Sequence, residues 1–145
     1  MKHRDPTEQL IKAYIQLLKG RIISEGETVP LGTRIPRRSN KYVLVYLESL
    51  IPYNTGDKVL YQATVTFQIV SMQATTEGDE TIPNGIMEQL LELTGDPEAI
   101  IMDDFNCLTA QFEDMEHDTE LTDTSYNIIK KLRMLHFIEQ CNILS

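Results

Sequence analysis

The stretch KVLYQATVTFQIVS, residues 58–71, decides the fold, because apolar and polar residues alternate along it for longer than in most strands. The odd-numbered positions from 59 to 69 are apolar, and we call them the apolar parity: Val59, Tyr61, Ala63, Val65, Phe67 and Ile69. The even-numbered positions, the polar parity, are polar except for Leu60 and Val70. The pattern predicts a long strand with one buried face and one exposed polar face. We therefore expect Phe67→Asp to unfold the protein and Thr66→Asp to be tolerated.

A second strand precedes this one. Residues 41–51, KYVLVYLESLI, are rich in β-branched and aromatic side chains. The connection PYNTGD, residues 52–57, contains strong turn formers, so the two strands are predicted to form an antiparallel hairpin. Together they supply the centre of a predicted antiparallel sheet.

Two helices are predicted to pack on this sheet. The first covers residues 5–19, with Asp5 as its N-cap and Gly20 as its stop, and it carries one apolar face. The second covers residues 84–94 and begins at Asn84. The sequence therefore predicts an α+β fold in one domain, residues 1–145: an antiparallel sheet with a long hairpin, packed by an N-terminal helix and a middle helix.

Three segments are predicted to be loops. Residues 24–40 contain two glycines and two prolines and form an extended basic loop or a loose hairpin, while residues 71–83 and 113–125 form acidic loops. Before the second acidic loop, Leu108, Ala110 and Phe112 alternate and are expected to point inward. Residues 126–141 suit either a helix or a strand, and pairing with the charged segment before them favours a strand.

The charges are segregated along the chain. The net charge is -9, but residues 1–41 carry +5, residues 42–127 carry -16 and residues 128–145 carry +2. Such a balance argues against ordinary nucleic-acid binding, which requires a basic surface. Two explanations stay open: an acidic surface that keeps the protein soluble, or head-to-tail association of basic and acidic segments.

No motif for catalysis, cofactor binding or metal binding is evident. Cys107 and Cys141 lie outside any ligand spacing, and no pair among the three histidines has the separation of a metal site. Free thiols are expected, and His136 is expected to be a half-buried structural side chain. Acidic clusters lack the glycine of a calcium loop. We predict a protein that is not an enzyme and has no cofactor.

The order of elements resembles a family of phage proteins, the small tail-terminator or tail-completion proteins at the head–tail junction of tailed bacteriophages. The resemblance extends from LIKAYIQLLKG through KYVLVYLE, VLYQATVTFQIVS and IMEQLLELTG to IIKKLRMLHFIEQ. These motifs are patterns of apolar positions. The acidity of the middle segment departs from the family pattern.

The resemblance implies a virion structural protein, a ring-forming head–tail connector or tail terminator in the phage neck, made in the cytoplasm of the bacterial host. The ring would be a homo-oligomer, six- or twelve-fold, beside portal, connector or tail proteins. DNA would pass through its lumen without sequence-specific binding, and no membrane is involved. The polar sheet face would meet a neighbouring subunit or the lumen.

Six residues are candidates for the contact between subunits in such a ring. Arg34, Arg37 and Arg38 are expected to meet acidic surface of an adjacent subunit or ring, with Glu113, Asp114 and Glu116 as the candidate acids.

Two alternatives belong to other classes of function. The first is a cytosolic α+β protein-binding module, an adaptor or inhibitor with no virion role, which would use an exposed sheet edge or the basic loop. The second is a small hydrolase with a site assembled from Cys107 or His136 and nearby acids.

Overall fold

The fold is α+β, as predicted. The computed structural model describes residues 3–53, 56–74 and 80–141. In chain order the elements are α1 (Thr7–Leu18), β1 (Ile23–Ser24), β2 (Glu27–Thr28), β3 (Leu31–Gly32), β4 (Lys41–Pro52), β5 (Leu60–Ala74), α2 (Thr81–Leu93), a 3-10 turn (Pro97–Ala99), β6 (Phe105–Leu121) and β7 (Ser125–Gln140).

The main sheet has five strands in the order β3-β4-β5-β7-β6, and β1 and β2 form a separate two-stranded sheet. The predicted hairpin is present, because β4 and β5 pair antiparallel from Lys41 opposite Ser71 to Pro52 opposite Tyr61. β5 also pairs with β7, and β7 pairs with β6, both antiparallel. The prediction of a wholly antiparallel sheet is wrong in one place: β3 runs parallel to β4. This short strand lies within residues 24–40, the predicted loop or loose hairpin. The antiparallel pair β1–β2 at the start of that segment is a short hairpin.

One face of the sheet, the helix face, carries the core. All six residues of the apolar parity around β5 are buried, as the alternation predicted. Phe67 lies against Tyr14 of α1 with ring centroids 5.0 Å apart at an interplanar angle of 85°, a favourable edge-to-face geometry. α1 contacts β3 and β4, and α2 contacts β5 and β7, so the two helices cover the middle of this face.

Both helices begin at other residues than predicted. α1 begins at Thr7 with Pro6 as its N-cap, although the Asp5 carboxylate still accepts a hydrogen bond from the Thr7 amide at 2.8 Å. α2 begins at Thr81 rather than Asn84, and Pro83 lies in its first turn. Proline is tolerated there because the first amides of a helix have no intrahelical partner. The preference for Asn as an N-cap placed the start of α2 at Asn84, three residues too late.

No helix of the described residues lies on the opposite face of the sheet, and we call it the open face. The prediction that its polar residues on β5 are exposed is wrong for Thr64 and Thr66, so the expectation that Thr66→Asp is tolerated loses its basis. Thr66 is fully buried and Thr64 is 7% exposed. The register places Thr66 between Tyr46 and Arg133, and these long side chains shield it from water. A central strand is covered on both faces even where only one face has helices.

Parts of two predicted loops belong to strands or helices. Residues 113–121 belong to β6, so only the turn before Ser125 remains of the predicted acidic loop 113–125. In the predicted loop 71–83, β5 reaches Ala74 and α2 begins at Thr81, and residues 75–79 lie outside the described residues. Residues 125–140 form strand β7, which confirms the choice of strand over helix.

The predicted inward side chains of β6 are mostly exposed. Only Ala110 is buried, whereas Leu108 and Phe112 are exposed. Leu108 lies in a β-bulge, and Phe112 lies on the edge strand beyond the helices. The alternation was correct for a strand, but nothing in the described chain covers this edge.

Candidate functional site: the two charged edges of the sheet

Of the predicted basic loop 24–40, residues 33–40 join β3 to β4 and therefore lie at the β3 edge of the sheet; we call this part the basic loop from here on. Arg34, Arg37 and Arg38 are all exposed, and none forms an ion pair with a described residue. Lys41, by contrast, is buried, and its Nζ lies 3.0 Å from the Glu25 carboxylate. The three predicted arginines are thus the cations that the basic loop presents to solvent.

The opposite edge of the sheet is the 17-residue strand β6. Its second half, residues 113–121, has an amphipathic pattern. The acids lie on the open face, as the pairing of Asp114 with Arg133 and of Asp118 with Ile129 shows, while Met115 pairs with buried Leu132 on the helix face. Charged residues on an edge strand discourage uncontrolled pairing with other chains.

Arg133 occupies the centre of the open face and binds three carboxylates. Its Nε lies 2.6 Å from Glu48 on β4, its Nη1 lies 3.1 Å from Asp114, and its Nη2 lies 3.3 Å from Glu116. The pKa of Arg133 is raised first by the hydrogen bond to Glu48 and then by the bond to Asp114. The guanidinium joins β4, β7 and β6 across β5, and its side chain is only 14% exposed.

These contacts change the set of acids available to a partner. Asp114 and Glu116 are already paired with Arg133 in their own chain, so two of the three predicted interface acids are engaged internally. Glu113 only accepts a long hydrogen bond, 3.4 Å, from the Thr64 hydroxyl. Asp118 and Glu120 are exposed and form no ion pair with any described residue. Both belong to the acidic cluster in residues 113–120 but are not among the predicted interface acids. Strand alternation could have found them, since both share the parity of Asp114 and Glu116.

The basic loop and the acidic half of β6 lie at the same level of the sheet, on opposite edges. The register runs from Leu31 through Val43, Ile69 and Lys130 to His117. Four strand spacings separate the two edges, or about 19 Å. The segregation of charge along the chain is therefore also a segregation in space, and the two charged surfaces face away from each other.

The buried polar groups beneath α1 form a separate cluster. The His136 Nδ1–H donates to the Ala63 carbonyl at 3.1 Å, so Nε2 is left to accept from the Tyr14 hydroxyl. Burial lowers the pKa of His136 to about 4 and raises the pKa of Tyr14. His136 is thus neutral at pH 7, and both of its nitrogens are occupied.

The cysteines are free and half-buried. Burial raises the pKa of Cys107 to about 11, and its thiol donates to the Thr109 carbonyl at 3.3 Å. A thiol of this kind stays protonated at neutral pH and is a poor nucleophile. The geometry therefore gives no support to a Cys–His site made of Cys107 and His136.

Within residues 3–53, 56–74 and 80–141, no group of three or more His, Cys, Asp or Glu side chains is arranged to hold a metal ion. No helix in this part of the chain is long and apolar enough to cross a membrane.

No protein-family model and no curated protein matches this sequence.

Proposed function

We propose that the chain is a ring-forming structural subunit at the head–tail junction of a tailed phage, of the connector or tail-terminator kind. The observation that carries the proposal is the placement of an exposed basic loop and an acidic edge strand on opposite edges of one sheet, at the same level. The resemblance of the element order to tail-terminator proteins supplies the biological setting.

Opposite placement matters because it favours a heterologous contact. When two different surfaces of one chain are complementary, each copy can bind the next, and a suitable rotation closes the chain of copies into a ring. Two like patches on a single edge would instead favour a closed dimer. Each exposed ion pair contributes only about 0–1 kcal/mol, but a ring repeats the contact at every subunit.

The net charge of -9 suits a subunit around a DNA channel. A basic lumen would bind phosphates tightly and retard the passage of DNA, whereas an acidic one lets it slide. Enzyme activity, cofactors and a membrane have no part in the proposal.

The function is tested by deleting the gene from the phage or prophage genome that encodes it. We expect electron micrographs of the deletion lysate to show heads and tails that remain separate, and the wild-type gene supplied in trans to restore joined particles. Joined, infectious particles from the deletion strain would overturn the proposal.

The contact is tested in the same complementation assay. Reversing Arg34, Arg37 and Arg38 to Glu should abolish restoration while the melting temperature of the purified chain stays nearly unchanged. Reversing Glu113, Asp118 and Glu120 to Lys should also abolish it, and the six changes combined should restore it. Normal restoration by the arginine variant would show that these arginines make no assembly contact.

The control for charge reversal is Arg21→Glu, because this cation is exposed, lies outside the basic loop and forms no ion pair with a described residue. We expect this control to support joined particles.

One observation favours a second candidate function, a protein-binding module. β6 is an edge strand with no partner on its outer side in the described chain, and such an edge can accept an extended peptide. A strictly monomeric chain, together with intact particles from the deletion strain, would favour this alternative.

A further inference from the structure

The acidic edge also carries exposed apolar side chains on its helix face. Phe112 is 53% exposed, Met115 is 43% exposed and Leu121 is 71% exposed. Phe112 and Met115 are neighbours on this face, because they pair with Met134 and Leu132 across a bulge. Leu121 lies further along the strand, beyond His117, whose Nε2 lies 3.6 Å from the Glu80 carboxylate at the start of α2. We call Phe112 and Met115 the β6 stripe. α2 covers β5 and β7 but leaves the stripe open to solvent.

A groove of about 810 Å³ lies at the other edge of the sheet, between α1 and Thr33 at the start of the basic loop. Ile11 and Ile15 supply its apolar lining, and its charged lining residues are Lys12, Lys19 and Glu8. Both lysines are exposed. α1 packs on the helix face above β3 and β4, so the groove opens on the same side of the sheet as the β6 stripe.

We propose that this α1 groove binds the β6 stripe of a second copy of the chain. The two features match in chemistry, because the groove and the stripe both present apolar side chains. The five acids of residues 113–121 lie on the open face, on the side of the contact where the arginines of the basic loop can meet them. They also match in position, because each lies on the helix face at its own edge. One edge-to-edge contact therefore places the stripe in the groove while the acids approach Arg34, Arg37 and Arg38.

This docking rests on the proposed function, since it identifies the surfaces by which subunits of the ring would meet. The apolar contact supplies binding energy that the exposed ion pairs alone do not supply. Desolvated apolar anchors carry most of the binding energy of an interface, whereas charged pairs at the rim chiefly set orientation and association rate.

The test uses two variants, each with one damaged surface. The stripe variant carries Phe112→Asp and Met115→Asp and keeps its groove. The groove variant carries Ile15→Asp and keeps its stripe. Each alone should lose self-association by about tenfold or more, the effect of removing an interface anchor. Mixed, they should form a one-to-one dimer that grows no further, because only one pair of intact surfaces is present.

Native mass spectrometry and analytical ultracentrifugation read out the assembly. Ile51→Asp is the matched control, since Ile51 is also an exposed apolar strand residue, 51% exposed, outside both surfaces. It should associate like the wild type. Ile15 is partly packed in the core, so Lys12→Glu with Lys19→Glu serves as a second groove variant whose fold is not at risk.

A mixture that stays monomeric, or a wild-type chain that is monomeric at its highest soluble concentration, overturns the docking of stripe into groove. Separate heads and tails in the deletion strain together with such a monomeric mixture would keep the proposed function and discard this interface. Joined particles together with a one-to-one dimer would keep the interface and discard the function.

Discussion

The burial of the Thr66 hydroxyl on the open face can be tested by whether its removal raises or lowers the free energy of unfolding. Its side chain is fully buried, and its Oγ1 has no hydrogen-bond partner among the described residues. An unpaired buried hydroxyl costs about 1–3 kcal/mol in protein mutational data. Valine has nearly the same shape without the hydroxyl. We therefore expect Thr66→Val to raise the free energy of unfolding by about 1–2 kcal/mol.

The assay is urea unfolding followed by circular dichroism. With an m-value of about 2 kcal/mol/M, the expected gain raises the midpoint by about 0.5–1 M. In a thermal scan the same gain raises the melting temperature by about 3–8 °C for a chain of this length. The m-value should not change, because the substitution leaves the exposed area of the unfolded chain nearly the same.

Thr64→Val is the matched control, two residues away on the same strand and face. The Thr64 hydroxyl has a partner, the Glu113 carboxylate at 3.4 Å. Its loss should leave stability unchanged or lower it by up to about 1 kcal/mol. Equal stabilisation by both changes would refute the reasoning, because it would reflect the β-propensity of valine rather than the unpaired hydroxyl. A loss of stability in Thr66→Val would show that its hydroxyl is satisfied.

Three further changes probe the core and its charges. Phe67→Asp should unfold the chain, because an unpaired charge would replace a fully buried ring beside Tyr14, and loss of the native circular dichroism signal would show it; a cooperative native transition would contradict this. Arg133→Met should cost about 1–2 kcal/mol in low salt and less in 1 M salt, since its carboxylate partners are partly solvated, and salt-independent loss would contradict the ion-pair account. The pKa of His136 is about 4 in the folded chain, below its usual 6.5, so the unfolded state binds more protons between these two pH values. The free energy of unfolding should therefore fall by up to about 3 kcal/mol as the pH drops from 6.5 to 4. Urea titrations across this range should show a smaller fall in His136→Gln, and an identical fall would assign the effect to other groups.

The candidate site was only partly predictable. The arginines at 34, 37 and 38 are exposed as expected, because a run of cations in a loop with prolines has no buried position to occupy. Which acids are available for a contact between subunits was harder to predict. Asp114 and Glu116 are paired with Arg133, which lies far from them in sequence order but beside them in the sheet. Only the register of β6 against β7 reveals this pairing.

Local patterns determined the elements of this protein. The alternation in residues 58–71 specified which side chains of β5 face the core, and glycines after the helical segments marked where α1 and α2 end. These features depend on backbone periodicity and on neighbours within a few residues, so the sequence alone contains them.

The tertiary structure decided what surrounds each element. Thr66 belongs to the polar parity and is nevertheless buried, because Tyr46 and Arg133 on adjacent strands extend over it. The strand order placed the basic loop and the acidic half of β6 on opposite edges of the sheet. A different strand order would have let these two segments contact each other within one chain. Strand order and cross-strand contacts join residues far apart in sequence, and periodicity within one segment carries no information about its partners.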